Sequence, residues 1–492
     1  MPVLKTRKRN EPYSEDEDVK ALNDEGDPVD IEANNVDIVR QGTKIILPPK
    51  MEWDEAIEWL KRKKREDEEL VGIYHVIDCY PLDGAYAFKR AIEQIYGWSS
   101  SIATMVSMTV SHDKTIQVPW GKVKIPGIEG ELSTEMDVKP NQPPKFIISG
   151  TCKAKHRPAI LRLYEKTLEI LKESSVYRGK AIKIDFEYIR EGRRFAPLND
   201  EPKFWDVSDV HPEELVFEST TERIIKMTLF DLIQNTQLMR QHRVPLKRGI
   251  LLAGRYGTGK TLTAAVTAKL ATDNGWTFIY LKDVRDLALG LRFAALYGPA
   301  VIFAEDIDRV VTGQRSPEID VILNTMDGVD TKGAEIITVL TTNHLESVNR
   351  AILRAGRLDA IVDVKVPDQG AAERLIRIYG RGLLTADFDY GSTSEALKGN
   401  IPATIRECVE RAKVSAIARE KGDITGKVQA SDVLTAADAM KMQLDLIQEI
   451  PVDKRPAPIQ MGDALGTAMG SSLRESFDKM ISTVSGHTNG KA

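Results

Sequence analysis

Cysteine is nearly absent from this chain: there are three in 492 residues, Cys79, Cys152 and Cys408, far apart and without a C-x-x-C pair. That excludes a disulfide framework and a cysteine zinc site, and it fits a reducing, cytoplasmic location. Long apolar runs are missing as well. No stretch approaches the roughly 20 residues that a bilayer-spanning helix needs. The start, MPVLKTRKRNEPYSEDED, has no apolar segment after its basic residues, so a secretory leader and a membrane role are not expected. Positive charge is not in excess: 68 Lys and Arg face 73 Asp and Glu, a net charge of −5. Nothing therefore draws the chain as a whole to nucleic acid. No H-E-x-x-H pair occurs, which argues against a zinc protease. No internal repeat of about 20–50 residues is visible, which argues against a solenoid.

What is present is an ordinary soluble composition, 42% apolar and 29% charged, in a chain long enough for several domains. Residues 1–44 are acidic and nearly free of aromatics, and read as a disordered tail. Residues 45–215 turn globular. Trp53, Ile57 and Leu60 fall at helical spacing, Asp83 to Tyr96 forms a second amphipathic helix, and HRPAILRLYEKTLEILKES a third. TIQVPWGKVKIPGIEG, KFIISGTCKAK and the short KAIKIDF read as strands. This is an α+β accessory domain, in which Trp98 and Trp120 read as buried core in preference to a binding face. TERIIKMTLFDLIQNTQLMRQH reads as one helix leading into residues 216–371. There, apolar strands alternate with helices, the signature of a parallel sheet covered on both faces. Residues 372–448 are helical, and 449–492 form a weakly patterned tail with one short helix near 472–484.

The chemistry concentrates in the α/β segment. The strand RGILLAG runs into GRYGTGKT, residues 254–261, and then into TLTAAVTAKLATDNG. Gly254, Gly257 and Gly259 let the backbone wrap and aim its N–H groups at phosphate oxygens, with a helix N-terminus behind them. Lys260 would place its ammonium on the β- and γ-phosphates of ATP, and the Thr261 hydroxyl would ligate Mg2+. Thr258 and Leu262 complete the nucleotide-binding set. Downstream, PAVIFAEDID is a buried strand that delivers Glu305 and Asp306 to the C-terminal edge of the sheet. One acid would hold the metal and the next would polarise the attacking water. The strand IITVLTTNH ends in Asn343, whose amide both donates and accepts and so can orient that water. His344 reads as an ordinary loop residue. In NRAILRAGRLD, Arg354 and Arg357 share a helical face, fitting either a solvated surface or a pair that reaches a neighbour's γ-phosphate.

In this order, GRYGTGKT, PAVIFAEDID, LNTMDGVD, the TTN end and LRAGRLD resemble the classical AAA clade of AAA+ ATPases over about residues 216–445. The resemblance implies a P-loop NTPase fold, a parallel sheet with helices on both faces and a helical lid. It also implies ATP hydrolysis with Mg2+ at the interfaces of a homo-oligomeric, hexameric ring. Lys260 and Thr261 take the P-loop roles, Glu305 the metal side, Asp306 the water side and Asn343 the first sensor. Arg354 and Arg357 become arginine fingers. Such rings remodel proteins, so residues 45–215 would recruit a protein substrate or adaptor.

Three departures stand out. The usual Asp-Glu pair is reversed to Glu305-Asp306, as in the mitochondrial AAA translocase of the folded Rieske protein, a family whose membrane anchor is lacking here. Soluble AAA ATPases of bacteria and their phages look similar. A shift of about 1 Å at a reacting group can matter greatly, so hydrolysis could be slow and the chain a nucleotide-gated scaffold. YLKDVRDLALGLRF lacks the aromatic tip of threading enzymes, and Tyr280 lies inside the strand pattern. In GNIPATIREC, Ala403 aligns with a lid turn, and Arg406 is either a second sensor or a surface residue. A nucleic-acid motor or loader is the remaining alternative, disfavoured by the acidic balance.

Overall fold

The computed structural model describes residues 52–449, apart from 98–102, 140–141, 194–199, 310–334, 350–351 and 355–356, together with four short strands between positions 21 and 46. LNTMDGVD, Trp98 and the 450–492 tail lie outside the described residues. Composition predicts no structure before residue 45, yet Ala21–Leu22 pairs with Pro28–Val29, and Val39–Gln41 with Lys44–Ile46.

Two compact units divide the chain. The first comprises residues 1–106, 117–137 and 144–174. The elements over residues 53–174 are α1 (Trp53–Glu68), β1 (Leu70–Ile77), α2 (Pro81–Tyr96), β2 (Ala103–Ser111), β3 (Lys114–Val123), β4 (Gly130–Asp137), β5 (Lys145–Lys153) and α3 (Arg157–Ser174), of which residues 107–116 of β2 and β3 count with the second unit. The strands form one sheet in the order β1-β5-β4-β3-β2. Strand β1 alternates, burying Ile73 and Ile77 and leaving Leu70, Tyr74 and Val76 exposed. Its buried side belongs to a core that also takes Leu82, Phe88 and Ile92 of α2 and Ile160, Leu163 and Ile170 of α3. Gly84 permits the approach of α2 to β5, because a Cβ there would stand 2.3 Å from the Phe146 ring. The stripe expected on α1 is not an inward face. Ile57 and Leu60 are exposed and Ala56 is the buried position. Trp120 is half-buried rather than core.

The second unit comprises residues 107–116, 138–143 and 175 onward. It carries a seven-stranded sheet made of β6 (Ala181–Ile184), β7 (Lys203–Phe204), β8 (Arg248–Ala253), β9 (Thr277–Leu281), β10 (Ala300–Ala304), β11 (Ile336–Thr342) and β12 (Ala360–Asp363). The order is β7-β6-β9-β10-β11-β8-β12, parallel except for β7 against β6. Strands β10 and β11 are buried at every position, as expected of sheet covered on both faces. The expected boundary at 215/216 is corrected here. KAIKIDF is a strand, but Ile182 pairs with Ile279 in this sheet, so compactness divides the chain near Ser174. A strand motif reveals its own conformation and not its partner, which is why the sequence order misled.

The single entry helix expected at 221–242 carries a π-turn and is interrupted at Asn235. It consists of α4 (Ser219–Ile225), a π-turn at Lys226–Phe230, and short helices at Asp231–Gln234 and Thr236–Gln241. Helices α5 (Lys260–Asp273) and α6 (Leu287–Leu296) accompany the sheet. After it come α7 (Gln369–Tyr379), α8 (Tyr390–Leu397), α9 (Pro402–Glu420) and α10 (Ala430–Glu449), the expected helical lid. They share a separate core that includes Leu375, Ile376, Ile405, Cys408, Ala412 and Val433. Among the described residues no helix is long and apolar enough to cross a membrane.

Candidate functional site

Strand β8 lies between β11 and β12, so its C-terminal end opens where the strand order reverses, the usual ligand crevice of an open parallel sheet. The chain leaves β8 at Gly254, whose N–H donates to the Thr342 carbonyl at 3.2 Å. Gly257 and Gly259 adopt φ of 77° and 97°, a region open to glycine and strained for other residues. A Cβ at Gly257 would also meet the Ile401 side chain at 2.6 Å. Thr258 is buried and donates its hydroxyl to the Arg255 carbonyl at 2.8 Å, closing the loop on itself. Helix α5 begins at Lys260. The Lys260 ammonium donates to the Gly254 and Arg255 carbonyls at 2.7 and 2.8 Å. Burial pulls its pKa below the ordinary lysine value, and the facing Asp306, Glu305 and Asp308 partly oppose that shift.

Across the cleft, β10 ends and Asp306 turns into left-handed backbone at φ 54°. Two contacts hold it there. Its N–H donates to Thr341 Oγ1 at 3.2 Å, and Asn343 Nδ2 donates to Asp306 Oδ1 at 2.9 Å. The neighbouring Thr342 hydroxyl donates to Asp308 Oδ1 at 2.6 Å. Among the described residues, two buried polar atoms at this cleft lack a hydrogen-bond partner, Glu305 Oε1 and Asn343 Oδ1. Buried polar atoms are normally satisfied, so orphans of this kind point to a group bound from outside the chain.

These residues enclose one cavity of about 320 Å³, lined by Tyr256, Gly257, Gly259, Lys260, Thr261 and Leu262 on one wall and Glu305, Asp306, Thr341 and Asn343 on the other. Gly254 and Thr258 shape the loop without lining the cavity. Among the described residues no cluster of three or more His, Cys, Asp or Glu side chains could cage a metal alone. Mg2+ needs no such cage, since it commonly takes one or two protein oxygens and completes its shell from phosphates and water. Thr261 and the orphaned Glu305 Oε1 fit that pattern. Arg354 is exposed and Arg357 half-buried on a turn in which the Arg357 N–H donates to the Arg354 carbonyl, and neither lines this cavity. Arg406 is also outside it, exposed and 5.7 Å from the Tyr379 ring.

Several residues here were not readable from motifs. Leu215 and Phe217 approach Gly259, while Ile401 and Ala403 approach Gly257. Arg374 of the lid donates to the Phe217 carbonyl at 2.6 Å, tying the entry segment to α7. Of these, the alignment of Ala403 with a lid turn was the lone sequence signal. His344 sits at the cleft mouth, exposed and edge-on to Tyr256 at 6.4 Å.

A phosphate-cradling loop between a parallel strand and a helix, facing carboxylates at the end of an adjacent strand, defines a P-loop nucleoside triphosphatase fold. Residues 250–366 match the family described as "ATPase family associated with various cellular activities (AAA)", and the chain carries an AAA+ module. It is similar to ATP-dependent zinc metalloprotease FtsH 2 of Petrotoga mobilis, 31% identical over 200 residues, covering 37% of this chain and 31% of that protein. It is similar to proteasome-activating nucleotidase 1 of Halobacterium salinarum, 33% identical over 168 residues, covering 29% and 40%. It is similar to 26S proteasome subunit RPT4 of Saccharomyces cerevisiae, 25% identical over 276 residues, covering 51% and 62%. The chain thus spans less than two thirds of the length of each of these relatives.

Proposed function

We propose that this protein binds ATP with Mg2+ in the 320 Å³ cleft and hydrolyses it at the interfaces of a ring of like subunits, to remodel a protein or protein complex. The observation that carries the reading is the opposition, across one cavity, of the Lys260 loop and the Glu305-Asp306-Asn343 group. On this reading Gly254, Gly257, Thr258, Gly259, Lys260, Thr261 and Leu262 bind the nucleotide. Thr261 and Glu305 hold the metal, Asp306 takes the proton of the attacking water, and Asn343 orients that water. Bound Mg2+ would neutralise charge on the phosphates. Arg354 and Arg357, lying outside their own subunit's cavity, serve the neighbour's. The relatives are named as an ATP-dependent metalloprotease, a proteasome subunit and a proteasome-activating nucleotidase, which supports a protein substrate. Residues 45–174 are the recruiting part, and the site of action is cytoplasmic.

Steady-state phosphate release by the whole protein tests this. Brisk release, abolished by Asp306→Asn and by Arg357→Ala, is expected. Mixing those two inactive variants should restore part of the activity, because each supplies what the other lacks. Activity unaffected by Arg357→Ala, in protein that stays monomeric with ATP, would sink the ring. A second reading, a slow nucleotide-gated scaffold, is favoured by the shorter acid on the water side. Nucleotide-dependent assembly with negligible phosphate release would select it.

A further inference from the structure

Tyr256 belongs to the phosphate-cradling loop and lines its cavity, yet it is 66% exposed. A large aromatic ring left in water forgoes burial that would stabilise the fold. Its backbone is nonetheless held in place. The Gly254 carbonyl accepts from Lys260 Nζ, and the Arg255 carbonyl accepts from both Lys260 Nζ and Thr258 Oγ1. Gly257 follows at once in left-handed backbone. The loop therefore presents the ring at the cleft mouth from a fixed base.

The facing rim is fixed as well. The His344 N–H donates to Thr342 Oγ1 at 3.0 Å, which anchors the residue next to Asn343. Its ring meets that of Tyr256 at 71°, and an edge-on neighbour covers at most one face of the tyrosine. On its other side, His344 Nδ1 lies 3.4 Å from Glu346 Oε1, whose side chain is 78% exposed. His344 thus joins an aromatic ring to a carboxylate along one rim. Among the described residues, the rings that carry a cation are those of Trp205, Tyr280, Tyr379 and Tyr390, not Tyr256. An open aromatic face beside a carboxylate suits a flat cation, and arginine combines a planar group with a permanent charge.

We infer that Tyr256 is a positioning residue: its ring receives the neighbouring subunit's Arg354 in a cation–π contact, and Glu346 draws the guanidinium to that rim. This inference rests on the ring of like subunits proposed above. Arg354 is the exposed member of the arginine pair and does not line its own cavity. A guanidinium on a long stem has many rotamers, most of them pointing away from a phosphate. Stacking on a ring held by a rigid loop removes most of that freedom before the nucleotide is reached.

The test uses the full chain with Mg2+ and a fluorescent non-hydrolysable ATP analogue, and follows assembly by analytical ultracentrifugation. Tyr256→Leu and Arg354→Ala should each raise the half-assembly concentration by about five- to tenfold, the effect of one cation–π contact. Both together should do no more than either alone, because they remove the same contact. Tyr256→Phe keeps the aromatic face and should bring assembly back to within about twofold of the wild type. Multiplied losses in the double variant would overturn the inference, since the two side chains would then act separately. So would Phe behaving like Leu. Analogue binding below the assembly range gives a further check: a loss there in Tyr256→Leu would assign the ring to its own subunit's nucleotide and overturn the inference too. A wild type that stays monomeric with the analogue would refute the ring of subunits itself. A wild type that assembles, beside a Tyr256→Leu that assembles equally well, would remove this inference alone.

Discussion

Asp306 combines a backbone constraint with a chemical one, and substitution can separate them. Its φ of 54° is a conformation that costs an ordinary L-residue roughly 1–2 kcal/mol, and that Asp and Asn tolerate better than most. Asp306→Asn keeps that tolerance and keeps a carbonyl to accept from Asn343, so stability should stay within about 0.5 kcal/mol of the wild type. Asp306→Ala keeps the Cβ and loses the polar side chain. It also strands Asn343 Nδ2, a loss of about 1–3 kcal/mol at a half-buried site. The expected destabilisation is therefore about 2 kcal/mol for Ala and near zero for Asn. Both remove the group proposed to take the proton, and both should slow turnover by roughly 10²–10⁴-fold. Denaturant unfolding, followed with single-turnover phosphate release, measures the two effects separately. Wild-type turnover in Asp306→Asn would refute the assignment of the base. Equal stability of the Ala and Asn variants would refute the reasoning about the turn.

Lys260→Ala should weaken nucleotide binding by roughly 10–100-fold in calorimetry, because charge-assisted hydrogen bonds to phosphate are worth about 1.5–3 kcal/mol. Gly249→Ala places a Cβ 1.9 Å from the Arg357 carbonyl, so the arginine turn or β8 must move. A loss of about 1–3 kcal/mol in denaturant unfolding is expected, with turnover falling further than stability alone explains. Hydrogen bonds from Lys153 and Lys155 hold the Glu129 carboxyl down at about 2. A depressed carboxyl stabilises above its unfolded value and loses that contribution as pH falls through about 2. Glu129→Gln should therefore flatten the acid limb of first-unit stability, weakly and in a salt-sensitive way, in pH-dependent melting curves.

Much of the nucleotide site could be read in the sequence because its parts are local. Gly254 to Leu262 lie on one continuous strand-loop-helix, and the acids at 305 and 306 directly follow an apolar strand. Short-range pattern determines such pieces. Partnership across the sheet is different. KAIKIDF reads as a strand equally well in either unit, and only tertiary pairing with β9 decides which sheet takes it. Leu215 and Phe217 reach Gly259 from more than 40 positions away, with no motif to mark them. On α1, helical spacing was present, yet Ile57 and Leu60 are exposed and Ala56 is the buried position.

The two strands donated by residues 181–184 and 203–204 also bear on how the molecule can be cut. A fragment beginning at residue 216 would keep every signature motif and still strip β9 of its neighbour, baring the amides and carbonyls of Thr277–Leu281 along a raw edge. Naked edges of this sort recruit other chains. Shortened versions that retain Ser175 onward should behave as well-dispersed material, whereas those starting just before the P-loop strand should clump, whatever their nucleotide chemistry.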